Sequence, residues 1–185
     1  HADGHQHEDS DPQPDRHIVL EWNSETGATY AVYWREGFSD RWHLLSEQEG
    51  APPTNLLADI GAPSDDSLME RQYMVRKVVP TYVTADITSN TTWRLLESPY
   101  ILTNTVVIRD GAVLTLEAGV SVQGGALVVS NGALRAMGTS DENITLTSCS
   151  VSFQDNSRDS MCALSNVNIL AAGVGITCSN SSPLI

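Results

Sequence analysis

The 185-residue chain carries 23 Asp and Glu against 10 Lys and Arg, a formal charge of −13, with 41% hydrophobic and 18% charged residues. That balance suits a packed globular protein and excludes a nucleic-acid binder, which needs a basic stripe to neutralise phosphates. It equally disfavours an anionic membrane surface, and no apolar run is long enough for membrane insertion.

Residues 1–16 (HADGHQHEDSDPQPDR) hold no aliphatic side chain larger than Ala and read as a polar arm. Within it His1, His5 and His7, with Asp9 close by, have the imidazole and carboxylate chemistry that holds Zn or Cu, and the carboxylates could equally take Ca. The plainer reading is a solvated tail with no cofactor. The chain begins at His1 without an initiator methionine, as in a processed secreted protein or a trimmed one.

Residues 17–79 alternate apolar and polar positions with a period of two. Ile18, Leu20 and Trp22 come first, then Tyr30, Val32 and Trp34, then Trp42 and Leu44, Leu56 and Ala58, and Tyr73 and Val75. Gly, Pro, Asp and Ser clusters separate these runs, which predicts short antiparallel strands forming a small β-sandwich. Alternating Trp22, Trp34 and Trp42 read first as core of that sandwich and second as a sugar-stacking platform.

Residues 80–185 have lower charge density and an internal repeat. Residues 106–113 (VVIRDGAV) lie 21 positions before residues 127–134 (LVVSNGAL); Thr115-Leu116 then meets Arg135-Ala136, and Val120 and Val122 meet Ile144 and Leu146. Three short strands in so short a period fit only a solenoid, whose coils bury their apolar residues by stacking on one another. About five coils are expected. The sequence stops at Pro183, Leu184 and Ile185, which read as mid-strand. An uncapped coil there exposes strand edges that template association, so these three residues are the expected assembly edge, completed by another chain or by a continuation of this one.

Cys149, Cys162 and Cys178 fit no tight zinc spacing. Their odd number allows one disulfide and one free thiol, or three buried thiols packing as small hydrophobes. Asn90, Asn143 and Asn180 begin N-glycosylation sequons, which matter only in a secreted protein.

The stretch from Trp93 through residues 110–119 (DGAVLTLEAG), 131–139 (NGALRAMGT) and 144–147 (ITLT) resembles the right-handed parallel β-helix of the pectate-lyase-like superfamily found in secreted bacterial surface proteins. It continues through residues 164–169 and 173–176. The segment before it, carried by Leu20-Glu21-Trp22, residues 27–33, Trp42, residues 54–59 and residues 72–75, is similar to a small fibronectin-III-like module. The resemblance implies an all-β chain, a small antiparallel β-sandwich followed by a short right-handed parallel β-helix. For activity it implies little, because this fold serves lyases, hydrolases, adhesins and spacers alike.

No catalytic constellation stands out. The solenoid's acidic residues are scattered, Asp155 to Asp159 is the only crowded mixture of signs, and no histidine follows His43. The expected role is therefore non-enzymatic: an extracellular or cell-surface structural or adhesive protein, self-associating as a homo-oligomer or polymer, with a glycan as a further potential partner. The alternative is a fragment of a polysaccharide-active or glycan-binding β-helix protein whose working residues lie elsewhere.

Overall fold

The computed structural model describes residues 18–61 and 71–185. Within them the chain is all β, with small antiparallel sheets followed by a parallel solenoid. Strand β1 (Ile18–Asn23) pairs antiparallel with β4 (Thr54–Asp59). Strand β2 (Thr29–Glu36) lies between β3 (His43–Glu49) and β5 (Arg71–Lys77) in a second antiparallel sheet. Its run Tyr30-Ala31-Val32-Tyr33 is buried at every position, as befits a central strand rich in β-branched and aromatic residues. Gly27, at φ +77°, turns the chain from β1 into β2.

The two small sheets meet through Trp22 against Tyr30, ring centroids 6.1 Å apart, and through a buried carboxylate. Asp59, only 2% exposed, accepts the Tyr73 hydroxyl at 2.8 Å and the Gly61 N–H at 3.0 Å and pairs with Arg71. A buried charge is tolerable only when satisfied in this way. Burial alone would raise the Asp59 carboxyl, but the hydrogen bonds from Tyr73, Arg71 and Gly61 outweigh it and hold the group below its ordinary value.

The solenoid makes four turns, each built from three strands. The first turn is β7 (Thr91–Trp93), β8 (Tyr100–Leu102) and β9 (Thr105–Ile108). The second is β10 (Val113–Leu116), β11 (Ser121–Gln123) and β12 (Ala126–Val129). The third is β13 (Ala133–Met137), β14 (Ile144–Thr147) and β15 (Ser150–Phe153), and the fourth is β16 (Ala163–Ser165), β17 (Val167–Leu170) and β18 (Ile176–Cys178). Strand β6 (Thr81–Val83) and a bridge from Ile87 to Ile108 precede the first turn. Corresponding strands stack in parallel into three long sheets. Four turns replace the five expected because coil length is uneven. Leu116 pairs with Ala136 after 20 residues, whereas Ala136 pairs with Leu164 only after 28, the difference going into excursions at 138–143 and 154–162.

Inward side chains align rung upon rung. One ladder runs Ile87, Ile108, Val129, Phe153; a second runs Tyr100, Val122, Leu146, Ile169; a third runs Trp93, Leu116, Ala136, Leu164. All but the last-turn members are nearly or completely buried, and each buried aliphatic side chain contributes about 1.5–3 kcal/mol. Trp93 and Tyr100 stack at 4.6 Å and close the first turn, with the Tyr100 hydroxyl donating to Glu97 at 2.8 Å.

The corners require left-handed backbone. Asp110, Asn131 and Asn180 supply it after β9, β12 and β18, and Gly124, Ser148 and Ala171 after β11, β14 and β17. Gly132 answers a different need: a Cβ there would sit 2.7 Å from the Ile108 carbonyl oxygen and 2.9 Å from that of Ala112, both backbone. Gly132→Ala is therefore expected to destabilise the solenoid by about 1–3 kcal/mol, read as a lowered denaturant midpoint. Asp59 yields a second prediction. A carboxyl held low on folding adds stability that is complete above its unfolded pKa of about 3.9 and is lost as pH falls through the lower folded value. Asp59→Asn should lower stability at neutral pH and flatten the acid limb below roughly pH 4, measured by chemical denaturation across pH; an unchanged acid limb contradicts it.

Candidate functional site

Side chains with chemistry to offer gather where the antiparallel unit meets the solenoid. Three consecutive corners of the solenoid face it: 94–99 in the first turn, 117–120 in the second and 138–143 in the third. The first corner folds as a single-turn 3-10 helix, Leu95–Glu97, which buries Leu95 against Ala31 and Tyr33, with Leu44, Met74 and Val78 packed around them. The second is tight because Gly119, at φ +80°, lies beneath both neighbours; its Cβ would meet Leu95 at 3.1 Å and Glu142 at 3.7 Å.

The third corner delivers a carboxylate. Thr139 Oγ1 accepts the Glu142 N–H at 3.1 Å while the Thr139 N–H donates to the Glu142 carbonyl at 3.1 Å, a reciprocal turn that fixes Glu142. Its side chain, 8% exposed, crosses to the other unit. There Oε1 accepts the Leu44 N–H at 3.3 Å and meets His43 Nδ1 at 3.2 Å, while Oε2 pairs with Arg41. Asp40 holds the other side of the ring, Oδ2 lying 3.3 Å from His43 Nε2. His43 stacks on Trp34 at 4.8 Å, and the Arg71 guanidinium covers Trp34 at 3.9 Å from the ring centroid. The chain Asp59, Arg71, Trp34, His43, Glu142 and Arg41 thus links the small sheets to the third turn without a break. Alternating charges and π faces at these distances attract at every step.

The three tryptophans expected as core fill that role only in part, Trp22 packing against buried Tyr30. Trp34 is sandwiched between His43 and Arg71, and Trp42 carries the Arg35 guanidinium 4.4 Å over its ring. Both are half-buried, and Trp42 also packs against the apolar cluster of Ala31, Tyr33 and Leu95. The fully buried tryptophan is Trp93. Cys149 and Cys162 are buried and Cys178 is exposed, all as free thiols. The disulfide their number allows is not formed here: the three belong to different corners and strands of the solenoid, and burial pushes the Cys149 thiol up to about 11. The sequon residues Asn90, Asn143 and Asn180 are exposed, although Asn90 Oδ1 already accepts the Val113 N–H at 3.0 Å. His1, His5, His7 and Asp9 lie outside the described residues. Among the described residues, no group of His, Cys, Asp and Glu has a geometry that holds a metal ion.

At the far end, Leu184 bridges Ala163 in parallel, donating to the Cys162 carbonyl at 3.3 Å and accepting the Leu164 N–H at 2.9 Å. Asp159 secures this segment, accepting Ser181 Oγ at 2.7 Å and the Ser182 N–H at 2.6 Å. Pro183, Leu184 and Ile185 thus start a further rung, with Leu184 and Ile185 largely exposed. No family model, no curated protein and no solved structure matches the chain.

Glu142 and His43 escaped the sequence reading, since nothing in a lone Glu in a turn marks it as a clamp. Glu142→Ala leaves Arg41, His43 and the Leu44 N–H without their shared acceptor. With Arg41 half-exposed, and its share screened accordingly, the expected loss is about 1–3 kcal/mol. It should appear in thermal denaturation together with faster proteolysis around residues 78–80; an unchanged melting curve would contradict the clamp.

Proposed function

We propose that this chain is a non-enzymatic extracellular structural or adhesive protein that associates with copies of itself by pairing β-edges. The observation that carries this reading is the state of the last rung. Among the described residues, strands β16, β17 and β18 each pair with one neighbouring strand, and beyond them only Leu184 adds a bridge. The side chains around that rung are apolar and exposed: Leu170 51%, Val174 62% and Leu184 71%. Unpaired strand edges rimmed by apolar side chains favour addition of another strand.

The opposite end of the stack offers a matching edge. Strands β6 and β7 bound their sheets there, and Val79 and Tyr82 are exposed beside them. Every solenoid pairing is parallel, so the last rung of one copy and the first of the next run in compatible directions. A contact between two different surfaces of the same chain propagates head to tail unless its rotation closes a ring. The small, polar outer positions of the coils, many of them Ser, Thr and Asn, suit a passive rod of this kind, while the charge of −13 on each copy opposes association and makes it strengthen as salt screens the repulsion.

Sedimentation velocity over roughly 1–100 µM, a range that brackets association free energies near −6 to −8 kcal/mol, tests the reading. Mass is expected to grow with concentration through dimers to longer species, and Leu170→Lys, which places a charge on the open edge, should return the chain toward monomer. A monodisperse monomer at the highest concentration overturns the proposal.

A further inference from the structure

A cleft of about 470 Å³ opens where the first three corners of the solenoid meet the antiparallel unit. Its apolar wall includes Trp42, Leu96 and Met137, and two guanidinium groups, Arg41 and Arg94, border it. The two cations come from opposite sides, Arg41 from the residue before Trp42 and β3, Arg94 from the start of the first corner. Arg41 is committed to Glu142. Arg94 differs. Its backbone N–H is taken by the Tyr100 hydroxyl at 2.8 Å, but among the described residues its side chain has neither a hydrogen bond nor an ion pair.

The other arginines of the antiparallel unit and its junction are engaged: Arg35 donates to Gln72, Arg71 pairs with Asp59 and Arg76 donates to the Leu96 carbonyl. Among the described arginines bordering this cleft, Arg94 is thus the one whose guanidinium has no partner, at the mouth of a partly enclosed apolar cleft. Glu117 also borders the cleft, yet its carboxylate accepts the Leu95 N–H at 3.0 Å and pairs with neither arginine. Met137 is equally out of place on a solenoid face, 45% exposed on a strand whose other outward residue is Arg135.

We infer that this cleft is a binding site for an amphipathic carboxylate, with the acid group on Arg94 and an alkyl or aryl body against Met137, Leu96 and Trp42. A guanidinium matches a carboxylate in a two-pronged, charge-assisted pair. The volume lies in the range of small-molecule sites, which combine apolar walls with few polar anchors. A fully hydroxylated body such as a uronic acid would desolvate its hydroxyls against apolar side chains and bind less tightly. The cleft lies at corners that face the antiparallel unit, whereas the proposed assembly uses strand edges at the two ends of the stack, so ligand binding and self-association are read separately by calorimetry and by sedimentation.

The test is calorimetric titration of the full chain with 4-phenylbutyrate, with 4-phenylbutyramide and with glucuronate. Phenylbutyrate is expected to saturate the chain with a Kd below about 1 mM, the uncharged amide to bind at least roughly tenfold more weakly, and glucuronate more weakly still. Arg94→Gln should weaken the acid by about tenfold and leave the amide unchanged. Its melting temperature should stay close to that of the parent, because the side chain it alters has no hydrogen bond or ion pair to lose among the described residues. Met137→Thr should weaken acid and amide alike. Absence of saturation at roughly 10 mM, an amide as tight as the acid, glucuronate tighter than phenylbutyrate, or an Arg94→Gln variant with parental affinity each overturns the site.

Discussion

Each turn of the solenoid is too small to bury its own apolar residues, and the structure depends on the turns above and below doing it for one another. Leu127 and Val129 become core only because Val106 and Ile108 lie beneath them and Val151 and Phe153 above. The same stacking satisfies the backbone, since every inward ladder is also a column of parallel hydrogen bonds. Side-chain volume is balanced within a turn as well as along the columns. Ala136 sits where Leu116 and Leu164 flank it, while Phe153 fills the space of the same turn from another sheet.

The antiparallel unit obeys a different logic. Its sheets are too few-stranded to enclose a large core, and polar and aromatic side chains take over. Asp59 collects Tyr73 and Arg71, Arg71 lies on Trp34, and Trp34 lies on His43. The series ends on Glu142, which belongs to the solenoid. Orientation of the two units is set by two contacts of unlike character, the apolar seat of Leu95 against Ala31 and Tyr33 and the charged seat of Glu142. The first supplies burial and the second direction, because a carboxylate with three partners tolerates little rotation.

Much of the solenoid is legible in the sequence because its register is written in period and composition. Val106 against Leu127, Thr115 against Arg135 and Val122 against Leu146, inferred from the repeat alone, are the Cα partners in the folded chain. Asn131 and Gly119 announce corners through their tolerance of left-handed backbone. Ser148 and Ala171 adopt the same conformation without any such signal, held there by the strands on either side. The number of turns was illegible for a related reason: excursions such as the one around Asp159 consume chain without adding a rung. The junction was the least readable part. His43, Glu142 and Arg94 are remote in sequence and ordinary in kind, and only the stacking of three corners brings them to one place. Trp34 misled because alternation marks which way a side chain points and not what lies on it, here a guanidinium and an imidazole in place of an apolar core.

The way the two units are joined gives the rod a polarity of resilience. The first turn is gripped through Leu95 and the third through Glu142, and among the described residues the antiparallel unit has no such grip on the fourth. The three turns that touch the antiparallel unit therefore have a support, apolar at Leu95 and charged at Glu142, that the fourth draws only from its neighbouring coil. Amide exchange along the column Tyr100, Val122, Leu146, Ile169 would accordingly respond to loss of Glu142 most strongly near Leu146, in the turn that the carboxylate anchors.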